Sequence, residues 1–104
     1  MSRPTFTLTL GARADLLEIW NYIAEDSIDY ADQVLARLHD AFIRLAQSPG
    51  IGHHREDLTD VRHRFWAVHS YVIVYRWETI PPQIIAVVHG ARQLEFFLQQ
   101  RVLE

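Results

Sequence analysis

Tyr71-Val72-Ile73-Val74-Tyr75 consists only of aromatic and β-branched side chains. That is the composition of a strand inside a sheet rather than at its rim. Apolar runs on either side supply neighbours, so the second half of the chain reads as a meander of strands at about 61–67, 70–77 and 83–89. Glu78-Thr79-Ile80-Pro81-Pro82 is the turn between the last two, because Pro82 has no amide for a ladder and Pro81 fixes φ. The central strand runs directly into Arg76, and the last one into His89-Gly90-Ala91-Arg92. Cations stand where turn residues would be ordinary, which points to an anionic partner at these strand ends.

The first half supplies the cover for that sheet. Phe6-Thr7-Leu8-Thr9-Leu10 alternates at period two and reads as a first strand, with Pro4 tolerable at its start. Ala12, Leu16, Ile19, Trp20 and Ile23 then recur at helical spacing, with Arg13, Asp15, Glu18, Asn21 and Glu25 on the opposite side. Ser27 is placed to cap a second helix, and Asp29 complements its dipole. The apolar stripe of that helix, Ile28, Ala31, Val34, Leu35, Leu38, Ala41, Phe42 and Leu45, is broken by Ser48-Pro49-Gly50. So short a connection makes the two helices a hairpin. Gly50 to Asp57 is a loop, and a short closing helix begins at Gln93. The expected architecture is α+β in two layers: a small, mainly antiparallel sheet on an N-terminal helical hairpin, ordered β-α-α-β-β-β with a short C-terminal helix. Its 104 residues form one domain, 1–104, without a linker or repeat.

With no cysteine, the chain has neither a disulfide framework nor a thiolate metal site. Met1-Ser2-Arg3-Pro4-Thr5 lacks the apolar core of a secretory leader, and no window approaches the roughly 18 apolar residues of a membrane span. The expectation is a cytoplasmic protein without membrane contact. The net charge of -3 is unevenly spread: residues 1–61 set five arginines against ten carboxylates, whereas residues 62–92 set four arginines against Glu78 alone. All basic residues are arginine, which fits bidentate anion recognition and equally a GC-rich coding bias.

Arg62, Arg64, Arg76 and Arg92 are therefore the candidate cationic cluster, and neighbouring strands could bring two of them together. It would serve either as an anion site or, with Asp15 or Glu18, as structural ion pairs. His89 closes an apolar strand, where a proton-transfer group or a structural hydrogen-bonding group would both be well placed. His53-His54, His63 and His69 do not make a persuasive metal set, since adjacent histidines on a glycine-rich loop rarely ligate one ion. No cofactor fingerprint is present. Tyr71, Tyr75, Trp66 and Trp77 alternate with cations as a base-stacking surface would, although a small two-layer protein also needs its aromatics inside.

Taken together, the strand, the hairpin with Ala14-Asp15-Leu16-Leu17-Glu18-Ile19-Trp20-Asn21-Tyr22-Ile23-Ala24, Ser48-Pro49 with Gly52, Arg64-Phe65, Tyr71-Val72-Ile73-Val74-Tyr75-Arg76 and His89-Gly90-Ala91-Arg92 resemble the RelE/ParE toxin superfamily of bacterial type II toxin–antitoxin systems. The resemblance runs from about Thr7 to Leu98 and is closest to the ParE branch. It implies neutralisation by a cognate antitoxin, through that protein's C-terminal segment, in a toxin–antitoxin hetero-oligomer. ParE-type members inhibit DNA gyrase by binding, which implies no catalytic residues, no cofactor and no direct DNA binding. RelE-type members cleave ribosome-bound mRNA, and on that alternative Arg64, Arg76 and His89 would carry the chemistry; an inactive antitoxin-binding module is the third reading. The absence of lysine and of a tyrosine beyond Tyr75 favours the first. Arg62, Arg64, Tyr71, Arg76 and Arg92 are then the residues expected to meet antitoxin or target.

Overall fold

The computed structural model describes residues 5–54 and 62–90. They form β1 (Thr7–Leu8), α1 (Leu10–Ala24), α2 (Ile28–Gln47), a 3-10 turn at Pro49–Ile51, β2 (His63–Val68), β3 (Tyr71–Arg76) and β4 (Gln83–His89). The sheet order is β1-β4-β3-β2, with β1 parallel to β4 and the other pairs antiparallel. This is the expected α+β hairpin-on-sheet arrangement, with the Tyr71–Tyr75 run in β3, one of its two interior strands. The expected closing helix, like Arg92, lies outside the described residues.

The first strand is shorter than its period-two alternation predicts, because Thr9 caps α1. Its hydroxyl accepts from the Ala12 amide at 3.0 Å, so the chain turns helical at Leu10 and leaves that side chain 86% exposed. Ser27 caps α2 as expected, accepting from the Tyr30 amide at 3.1 Å. The α2 stripe also packs as predicted through Ala31, Val34, Leu38, Ala41, Phe42 and Leu45, while Ile28 in the first turn is exposed. Ser48 closes the helix onto the Arg44 carbonyl, and Pro49, which cannot continue the ladder, opens the 3-10 turn. Trp20 donates its indole N–H to Asp32 at 2.9 Å and ties the two helices together.

Hairpin and sheet share one core. Ile73 and Tyr75 of β3, Ile84 and Val87 of β4, and Leu38, Phe42 and Leu45 of α2 are buried there, with Trp66 and Val68 of β2 packed beside them. Each such large side chain stabilises the fold by roughly 2 kcal/mol. Phe65, Val74, Ala86 and Val88 form a second buried cluster on the reverse face.

A bulge where β3 meets β4 shapes the junction with α1, since Tyr75 pairs with Ile84 whereas Val74 pairs with Ala86. Beyond Ile84, β4 has outgrown its partner β1, and α1 answers its free backbone groups instead. The Thr9 hydroxyl donates to the Ile85 carbonyl at 3.1 Å, and the Asp15 carboxylate accepts from the Val87 amide at 3.0 Å. Asp15, expected on the solvent side, is therefore buried against the sheet.

Candidate interaction surface

Register decides which of the expected cations can act together. Arg64 pairs with Tyr75 and His63 with Arg76, in an unbroken ladder. Because side chains alternate across a strand, Arg64 lies on the hairpin face with Trp66 and Tyr75, and Arg76 on the reverse face with Val72 and Val74. The two do not form a cluster, and Arg76 is on the wrong face of the sheet to pair with Asp15 or Glu18 of α1. Arg62 is exposed ahead of β2. His89 lies at the far end of the sheet, paired with Tyr71.

Arg64 has an internal task. Its Nη1 donates to the Gly52 carbonyl at 2.7 Å and its guanidinium lies 4.4 Å from the Trp77 ring centre. Tyr75, fully buried, completes the anchor: its hydroxyl donates to the Pro49 carbonyl at 2.6 Å and accepts from the Gly52 amide at 2.9 Å. Burial pushes the Tyr75 phenol above its ordinary value of 10.0, opposed by the Gly52 hydrogen bond and the nearby Arg64 charge. The loop after α2 is thus strapped to the sheet by Arg64, one of the expected cations, and by Tyr75. The Nε atoms of Arg64 and Arg76 are buried without a hydrogen-bond partner. His53 stacks on Trp66 at 6.2 Å and His54 meets Trp77 edge-on at 6.3 Å, so the adjacent histidines are directed to different rings.

The open surface lies at the other end, around Tyr71 and His89. Their rings meet edge-on at 5.1 Å and form a ridge between two shallow cavities of about 230 and 270 Å³. Tyr30, Arg37 and His69 line the first; Glu18, Ile19 and Tyr22 line the second. Arg37 contacts the His69 ring, which stands in the two-residue connection between β2 and β3 at φ 53. Tyr71 is held above its ordinary phenol value by burial first, then by Tyr30 and Tyr22. Tyr22 and Tyr30, which flank the hairpin turn, are 77% and 55% exposed. Exposed tyrosines with an arginine at the rim suit the capture of another protein's side chains. Of this group the sequence pointed to Tyr71 and His89; the signal for Tyr22 and Tyr30 was two aromatics outside both apolar stripes. No described helix is long and apolar enough to cross a membrane.

A small sheet covered by a helical hairpin, in the order β-α-α-β-β-β, is the fold that the RelE/ParE resemblance implies. The family model for the ParE toxin of type II toxin–antitoxin systems matches residues 6–94, and the chain belongs to that family. A solved chain described as the chromosomal ParDE toxin–antitoxin system from P. aeruginosa superposes with a TM-score of 0.69 at 18% identity, over 85% of this chain and 97% of that one. No curated protein matches.

Proposed function

We propose that this chain inhibits DNA gyrase by binding, performs no chemistry of its own, and is neutralised in the cytoplasm by a cognate antitoxin with which it forms a hetero-oligomer. One observation carries the choice against nuclease action: Arg64, Arg76 and His89 do not converge. Arg64 and Arg76 are on opposite faces of the sheet, and His89 is opposite the first residue of β3 while Arg76 is the last. Five residues of strand separate those positions by about 17 Å. General acid or base and charge-stabilising groups must all reach one phosphodiester within hydrogen-bond range. The Tyr71–His89 ridge supports the binding half of the reading, as an amphipathic surface able to take apolar anchors.

The test uses purified protein in two assays. It should stop gyrase from supercoiling relaxed plasmid and leave ribosome-bound mRNA intact. Codon-specific cuts that vanish in His89→Ala would establish the endonuclease instead.

A further inference from the structure

We propose that the cavity between α1 and the Tyr71–His89 ridge is a site for a guanidinium, and that the arginine side chain carrying it is presented by the protein that this chain inhibits. The identity of the presenter rests on the binding reading; the cation site does not.

The cavity, about 270 Å³, is lined by Glu18, Ile19 and Tyr22 of α1, Tyr71 of β3 and His89 of β4. The bonds from Thr9 to the Ile85 carbonyl and from the Val87 amide to Asp15 show that α1 and β4 advance in the same direction. Roughly one to two turns beyond Asp15, Glu18 and Tyr22 therefore come level with His89, and β3 sets Tyr71 directly across from it. Ile19 packs against the core, while Glu18 and Tyr22, four residues apart, are exposed neighbours on one face of the helix.

That lining selects a cation. Aromatic ring faces carry negative potential, and here two phenol rings and an imidazole stand beside a carboxylate. No described residue pairs with the Glu18 carboxylate. Nothing basic lies between Arg13 and Arg37 in the sequence, whereas Glu25, Asp26 and Asp29 add negative charge around the exposed hairpin turn. Across the ridge the chemistry changes: Arg37 lines the other cavity and would repel the same ligand. Among the described residues no three metal-binding side chains converge, so the lining suits an organic cation rather than a metal ion. A planar guanidinium can lie on a ring and still give parallel N–H bonds to Glu18, where an ammonium offers only a point charge.

The first arm of the test titrates N-acetyl-arginine methylamide into the full chain and follows side-chain resonances, with the neutral, nearly isosteric citrulline analogue as control. The arginine probe should shift the ring resonances of Tyr22, Tyr71 and His89 saturably, and less at higher salt; the citrulline analogue should not. Glu18→Gln should weaken binding about threefold. Tyr22→Leu should weaken it by about as much, whereas Tyr22→Phe, which keeps the ring, should bind as wild type does. Both positions are exposed, so these variants should melt with the wild type. Equal shifts with citrulline, an undiminished affinity in Glu18→Gln, or shifts centred on Arg37 and His69 would each overturn the site. The second arm is the supercoiling assay. Glu18→Arg sets a like charge where the incoming arginine would sit and should raise the concentration for half-inhibition of gyrase about tenfold. Unchanged inhibition by that variant would overturn the proposed presenter and leave gyrase inhibition standing. A wild-type chain that does not inhibit gyrase would overturn the binding reading and the presenter with it, and the probe titration decides the site in either case.

Discussion

At Gly52 the absence of a side chain is a packing requirement. A Cβ there would overlap the Tyr75 hydroxyl and lie 2.8 Å from Cε1 of a ring that is fully buried and hydrogen-bonded to Pro49. Gly52→Ala should therefore cost about 1–3 kcal/mol in urea unfolding. Its cost should shrink in a Tyr75→Phe background, where the hydroxyl is gone; strictly additive losses would mean that the two residues do not meet. The same phenol has a pH signature. Its folded-state pKa is raised, so above about pH 10 the unfolded chain releases this proton while the folded one keeps it. The stabilisation is complete below the ordinary tyrosine pKa and is lost as pH rises through the folded value. Tyr75→Phe should flatten that alkaline decline, leaving the part due to Tyr71, whose pKa is raised as well. Melting temperatures of both proteins between pH 9 and 11 check it. Arg64 was legible as a singular residue, but its contacts with the Gly52 carbonyl and the Trp77 indole were not, because a cation held inside the fold looks in sequence like one awaiting an anion.

Among the elements, the junction of α1 with β4 was the least legible. Ile84-Ile85-Ala86-Val87-Val88 is apolar throughout, so nothing in its pattern marks the bulge, and without the bulge nothing calls for an acceptor from α1. Asp15 consequently reads as a solvent-side residue of an amphipathic helix, when it supplies a bond that β1 is too short to make. Asp15→Ala should leave the buried Val87 amide unpaired and cost about 1–3 kcal/mol. Hydrogen exchange localises the effect: Val87 should lose protection well before Ile73, which is bonded within the sheet. Uniform acceleration of both would indicate global destabilisation rather than loss of this link. The stripes of α2, its Ser27 cap and the central strand were readable because each is a periodic or local signal. The separation of Arg64 from Arg76 was also readable in principle. Across a two-residue connection an even-numbered residue always pairs with an odd-numbered one, so two even-numbered arginines on adjacent strands fall on opposite faces.

Over the whole molecule, the charge distribution bears on whether gyrase inhibition would work through DNA. A protein that holds duplex DNA neutralises several phosphates with a basic patch, and its affinity falls steeply with salt as counterions are displaced. Here the net charge is -3 and there is no lysine. Arg64 is tied to Gly52, Arg76 is on the reverse face, and Arg37 and Arg44 flank the outer edge of β2. These cations are distributed over different sides of the molecule, which suits separate contacts with a protein partner better than one continuous track along a phosphate backbone. The free protein should consequently show no duplex binding at physiological salt, even at concentrations that stop supercoiling completely. Gel-shift titrations at about 50 and 150 mM salt decide the point, the lower concentration having been chosen because it exaggerates any electrostatic affinity. A shift at 50 mM that weakens at 150 mM with a slope corresponding to several phosphates would mean that inhibition proceeds through DNA, and would displace direct engagement of the enzyme as its basis.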